Sequence, residues 1–322
     1  MKQPKSVLWD VCYIRLFLIV VLIAYHAFCP YYGWAGTPFE GQAPNAAYHF
    51  LDVLLYSVLL ESFVFISGLI VGYKCRREEE AQSAPGRLQA LSFRALIVKR
   101  AQRLLIPSII FSALYLFTLK DYAANSIVRN IYLIINGYGH LWFLPMLFWC
   151  FVLLYLLERI PISPLIKFLF LLLFFSPFHF YIPNHIQFSH AAYYMVYFYA
   201  GYCVHRYHLP VNRWTRPRYI IGASLLFALA FLADYAVRYD FITLNISAKP
   251  QAYALFSSRY IYPTLGVISL YLLAVRRAQN KNIGGVFHSA YTFKLLLRRL
   301  HLSRIYLASA LLSHPAPAPC TL

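Results

Sequence analysis

A polytopic bundle of transmembrane helices, all-α, is the fold class that three features of this 322-residue chain predict. The composition is 61% hydrophobic and only 12% charged, about half the charge expected of a soluble domain. The apolar residues gather in runs close to the 17–25 residues that a spanning helix needs. Lys and Arg crowd alternate connections between those runs, the asymmetry that the positive-inside rule demands of a multi-pass protein.

The runs fall at 11–29, 50–73, 104–119, 140–157, 164–182, 189–204, 219–237 and 253–275, which predicts about eight spans. The first carries Arg15 and His26, eleven positions apart. Eleven steps of about 100° return nearly to the starting azimuth, and eleven rises of about 1.5 Å separate the two by roughly 16 Å. Both are costly at bilayer depth and therefore candidates for function. The second run holds Glu61 about halfway along, where a carboxylate must face a partner or a water-filled cavity. Ser67 and Gly68 follow, small enough for close helix packing or for a ligand to approach the backbone.

A polar connection from Lys74 to Arg103 comes next, with Arg76, Arg77 and a Pro85-Gly86 turn signal. From about Leu88 it turns helical, leaving Arg100 and Arg103 one turn apart at the entrance to the third run. Two guanidinium forks so placed match phosphate oxygens. The fourth run opens on His140 and Trp142, just after Gly137 and Gly139. The fifth covers 164–182, the sixth is rich in aromatics, and the seventh carries Asp234 near its outer end. The eighth ends at Arg276 and Arg277.

The basic connections predict a cytoplasmic N-terminus, with Arg15 near the inner face and His26, His140 and Trp142 toward the outer one. A net charge of +18 is absorbed by loops held beside anionic lipid, and no nucleic-acid-binding motif accompanies it. Six scattered cysteines without a CxxC pair suggest neither a metal site nor a disulfide framework. The first nine residues do not resemble a cleavable signal, so the first run is expected to remain as a span. After Gly284-Gly285 the composition changes: residues 286–312 mix Lys294, Arg298, Arg299, His301 and Arg304 with leucines, which reads as an amphipathic surface helix. The boundary implied is 1–283 for the membrane domain and 284–322 for an atypical tail.

Several phrases together resemble the integral-membrane acyltransferase 3 family, which includes bacterial sugar O-acetyltransferases and fucose 4-O-acetylase-like proteins. They are Arg15-x10-His26, Phe63-x-Phe65-x-Ser67-Gly68, Arg100-x-x-Arg103 running to Pro107, Leu141-Trp142-Phe143-Leu144-Pro145, and Tyr197-Phe198-Tyr199-Ala200-Gly201-Tyr202. The resemblance covers about residues 10–275. It implies a bundle of about ten spans in the inner membrane that moves an acyl group, usually acetyl, from cytoplasmic acyl-CoA to a hydroxyl of an envelope polysaccharide or lipid-linked glycan.

On that resemblance His26 is the expected general base or proton relay, with Arg15 and Glu61 beside it as catalytic candidates. Arg15, Arg100 and Arg103 would hold the CoA phosphates or orient the thioester, helped by Arg76 and Arg77. Ser67, His140 and Trp142 are the candidates for substrate binding. The family's closing phrase begins here at Tyr291-Thr292-Phe293 and then departs, with Lys294 in place of a glycine. A frameshift or truncation after Phe293 is the expected cause, and an inactive family member a corresponding alternative. A glycan transporter or flippase is the other competing class, whose mark would be broken helices near the membrane midplane.

Overall fold

The computed structural model describes residues 8–32, 45–82, 93–118, 121–238 and 260–279. Among them every regular element is helical. The Pro85-Gly86 turn, the start of the 253–275 run and the tail helix expected over 286–312 lie outside the described residues. The chain divides into two compact units, Met1–Arg276 and Arg277–Leu322, and the helices below build the first.

Helix α1, Trp9–Tyr32, is apolar all round but buries one seam, Val11, Ile14, Leu18 and Val21. Leu16, Phe17, Ile19, Val20 and Ile23 stay exposed, as a helix facing lipid on one side requires. Helix α2, Ala46–Gln82, runs 37 residues, far past the predicted end near Lys74. The extension through Arg76, Arg77 and Glu78 stays helical because Arg and Glu are good helix formers and Arg76 pairs with Glu80 one turn on, at 3.3 Å.

Helix α3, Phe93–Thr118, joins the basic stretch and the third run into one element, with Leu96, Ser108, Ser112 and Leu116 turned inward. Helix α4, Ile127–Asn136, was absent from the sequence expectation because ten residues are too few to span. Ser126 caps it by accepting the Arg129 N–H at 3.3 Å, and Gly137 at φ +82° ends it. Helix α5, Phe143–Glu158, follows a 3-10 turn, Gly139–Trp142, and buries Met146, Cys150 and Leu154 completely.

The fifth run is not one continuous helix. Helix α6, Pro164–Phe170, gives way to a π turn, Leu171–Phe175, and a 3-10 turn, Pro177–Phe180. Pro177 brings no N–H and would crowd the carbonyl four residues back; Ser176 N–H instead reaches Leu171 O, five residues back, at 2.8 Å. Helix α7, Phe188–Arg206, is buried at Ser189, from Ala191 through Tyr199 and again from Gly201 to Cys203, and forms the centre of the unit. Helices α8, Pro217–Arg238, and α9, Tyr262–Gln279, complete the described elements.

Among the described residues, five helices are long and apolar enough to cross a membrane: those covering Trp9–Phe28, Ala46–Glu80, Phe93–Thr118, Gly139–Glu158 and Pro217–Val237. Of the other three predicted runs, one is the broken segment, one is α7, whose many tyrosines suit a protein-lined centre better than lipid, and one begins outside the described residues.

The centre is held by backbone meeting backbone. A Cβ built on Gly68 would lie 1.9 Å from the Phe198 carbonyl oxygen, one on Gly72 2.2 Å from Tyr202 O, and one on Gly201 2.0 Å from Phe65 O. Small residues four apart on α2 thus admit α7 to direct contact, the small-xxx-small device of membrane helices. Gly68→Val is expected to cost at least about 1–3 kcal/mol through overpacking. The check is a lowered thermal midpoint or loss of monodisperse protein in detergent; an unchanged midpoint would show that α2 and α7 can separate without cost.

Candidate active site

One face of α2 and one face of α3 build a cavity of about 380 Å³ at the end of the unit where the basic residues gather. From α2 come Ser67, Ile70, Val71, Lys74, Cys75 and Glu78, and from α3 Leu96, Lys99, Arg100 and Arg103. These spacings of three and four residues are those of a single helical face. Arg15 of α1 and Phe151 of α5 close the wall, so that five cationic side chains line the cavity against the one carboxylate of Glu78. The Arg100 guanidinium stands 3.7 Å from the centre of the Phe151 ring, a cation–π placement that holds it flat at the wall. The chemistry of such a lining suits an anion with several oxygens.

Ser67 belongs to this group and not to the one containing His140 and Trp142. Its hydroxyl donates to Phe63 O at 2.9 Å. Arg76 and Arg77 are rotated off the cavity-lining face of α2. Arg76 donates to the His205 carbonyl at 3.4 Å and lines a second cavity of about 320 Å³ with Asp10, His205, His208 and Tyr271; Arg77 lines neither. His205 Nε2 stands 3.8 Å from Asp10 Oδ2. Burial pushes the His205 imidazole below its usual range, against the opposing pull of Asp10.

At the far end of α1, His26 meets His140, their ring centres 6.0 Å apart and edge to face. Tyr115 of α3 stands edge-on to His140 at 5.1 Å, and Tyr25 stacks on Tyr56 of α2 at 5.1 Å. The segment bearing His140 is pinned to α3 by the Tyr138 N–H, which donates to Ser112 Oγ at 2.9 Å. Gly139 at φ +58° supplies the left-handed residue that turns His140 toward His26. Trp142 follows at once and packs 4.7 Å from His190 and 6.0 Å from Tyr194, both on α7. Three imidazoles, of His26, His140 and His190, and the Trp142 indole therefore share this end, 6 Å or less separating each ring from a neighbour.

Glu61 sits on α2 between the two groups. It is buried there and accepts a hydrogen bond from the Tyr193 hydroxyl at 3.2 Å. Around it Tyr197 bonds Thr264 at 3.3 Å, and Ser176 joins Tyr260 at 2.9 Å. A buried pair was not foreseen from the sequence: Lys167 and Glu158, 3.3 Å apart and each 5% exposed, with the Tyr202 and Tyr207 hydroxyls donating to Glu158 at 2.9 and 3.3 Å. Those hydroxyls satisfy a carboxylate that burial would otherwise make costly. Arg206 grips Glu79 with both terminal nitrogens nearby.

A family model described as an acyltransferase domain matches residues 9–303, nearly the whole chain. No curated protein and no solved structure matches it. The match takes in both ends of α1, the cavity formed with α2 and α3, and the tyrosine-rich α7. With several helices fit to cross a membrane and a cationic cavity at the foot of the bundle, the chain belongs to the acyltransferase 3 family, as a multi-pass membrane acyltransferase.

Proposed function

We propose that the protein transfers an acyl group, most economically acetyl, from cytoplasmic acyl-CoA to a hydroxyl of a cell-envelope glycan at the inner membrane. One observation carries this reading: a single helix, α1, has Arg15 in a cavity of five cations at one end and His26 against His140 at the other. The basic end faces the cytoplasm under the positive-inside rule. There Arg15, Lys74, Lys99, Arg100 and Arg103 take the phosphates of the donor. The face of α2 from Lys74 inward to Ser67, about 10 Å of helix, offers the thin pantetheine arm a path toward the centre.

At the opposite end His26 removes the proton of the acceptor hydroxyl. The oxygen attacks the thioester carbonyl, a C–O bond forms, the C–S bond breaks, and the departing thiolate takes up a proton. Glu61, hydrogen-bonded to Tyr193, lies between the two ends as a proton partner for the relay. The tail from 284 remains an addition to the membrane domain in this reading.

The π turn and Pro177 break favour a second reading, translocation of a glycan, since broken helices at mid-depth are a transporter feature. One comparison separates the two. NMR of the surface polysaccharide with and without the gene is expected to show O-acetyl signals disappearing while the amount of polysaccharide persists. Loss of the polysaccharide itself, with its acetyl content per sugar unchanged, would overturn acyl transfer in favour of translocation.

A further inference from the structure

Three carboxylates in succession, Glu78, Glu79 and Glu80, lie near the end of α2 beside the cavity with the five cations. Negative charge at that place opposes the anion that the lining suits. Of the three, Glu78 lines the cavity. The other two point elsewhere and are matched with cations. Glu80 pairs with Arg76 at 3.3 Å and has His208 at 4.0 Å. Glu79 is gripped by Arg206, the last residue of α7, whose two terminal nitrogens meet its two carboxylate oxygens, Nη2 at 2.7 Å from Oε1. This is the fork-on-fork arrangement of a guanidinium with a carboxylate. The two side chains are 17% and 27% exposed, so solvent screens them less than a surface pair.

Arg206 is aimed by more than its partner. Its Nε donates to the Tyr202 hydroxyl at 3.2 Å, and that hydroxyl donates to Glu158 at 2.9 Å. Glu158 has its own cation in Lys167, 3.3 Å away. The charge of Arg206 is therefore left for Glu79. The Tyr202 backbone also meets Gly72, seven residues before Glu79, so α2 and α7 reach the pair in a fixed register.

We propose that Arg206 is a positioning residue that sets the anion specificity of the cavity without touching the ligand. By holding and neutralising Glu79 it leaves Glu78 as the carboxylate that a bound anion meets. Removing the guanidinium adds one net negative charge to the wall of α2, whatever else Glu79 touches. The proposal rests on the acyl-transfer reading for the identity of the anion, acyl-CoA.

The test is the affinity of the full chain for acetyl-CoA in nanodiscs of neutral phosphatidylcholine, with Arg206→Gln, Glu79→Gln and the double variant. Arg206→Gln is expected to raise Kd about five- to twentyfold, the order that one more negative charge about 10 Å from a bound phosphate predicts. The loss should shrink toward wild type near ~1 M salt. Glu79→Gln should bind at least as tightly as the wild type, and adding it to Arg206→Gln should restore affinity to within about twofold. A role confined to tying α2 to α7 gives the opposite pattern, in which both single variants weaken binding alike and the double variant rescues nothing. That pattern, or unchanged affinity in Arg206→Gln, overturns the proposal. Should Arg206→Gln not stay monodisperse, Arg206→Lys and the double variant decide: affinity within about twofold of wild type in both supports masking of Glu79, and a greater loss in either overturns it. Inorganic pyrophosphate is measured beside acetyl-CoA to separate this proposal from the donor reading. The expected pattern with pyrophosphate, in a protein that does not bind acetyl-CoA, keeps the role of Arg206 and removes acyl-CoA as donor. Acetyl-CoA binding that no variant alters does the reverse, and a wild type that binds neither anion overturns both.

Discussion

His26→Ala is expected to reduce acyl transfer at least about 100-fold, the lower bound of what a positioned general base contributes, while leaving insertion and acetyl-CoA binding intact. The separation follows from place. His26 lies against His140 at one end of the bundle, and the cationic cavity at the other draws on α1 only through Arg15. The measurement is acetyl incorporation into polysaccharide in cells expressing the variant, beside acetyl-CoA affinity of the purified protein. Wild-type acetyl content in the variant would remove His26 from the chemistry. His140→Ala provides a companion: it should cost less than His26→Ala if its imidazole orients and does not itself accept the proton.

Replacing Arg100 and Arg103 should weaken the donor and spare the acceptor. A hydrogen bond to a charged group contributes about 1.5–3 kcal/mol, so each alanine should raise the Kd for acetyl-CoA about 10- to 100-fold. Arg100→Lys tests the geometry more finely. It keeps the charge but gives up the flat fork stacked on Phe151, and should recover only part of the affinity. Arg77→Ala, outside both cavities, should change donor affinity little. Equal losses for Arg77 and Arg100 would mean that the basic end attracts the donor only through its overall field.

Much of this arrangement was legible in the residues themselves. Arg15 and His26 betray themselves as ionisable groups inside an apolar run, and helical arithmetic alone sends them to different depths. Depth, however, is not azimuth between helices. Ser67 reads as a contact for either substrate until α2 is rotated against α1 and α3, and Arg76 and Arg77 look like neighbours of Arg100 until the helix turns them away. Lys74 and Lys99 could have been found by stepping seven residues on from Ser67 and four back from Arg103.

Other features had weaker signals. Helix α4 is too short to announce itself by length, and its cap at Ser126 was the available cue. The tyrosines of α7 lower its hydropathy because they are solvated by one another and by Glu158 and Glu61, a tertiary fact. The turn before α7, where Ile186 and Gln187 both take positive φ, has no local signature, since neither residue favours that backbone conformation; Asn136 and Trp149, far away in sequence, impose it.

The contact of Gly68, Gly72 and Gly201 bears on how substrates enter. With their backbones in touch, α2 and α7 behave as one girder through the membrane. One side of that girder carries the cavity wall from Ser67 to Lys74, and its far end carries His190 and the Trp142 packing. Two halves rocking about a central substrate would have to shear this girder along its stiffest seam. In the proposed reaction, admission of a donor from one side and an acceptor from the other would fall to the outer helices, α1 and α3, which bury little of their surface within the unit. On that reading the protein would work as a fixed post with two movable doors and not as a pair of alternating gates.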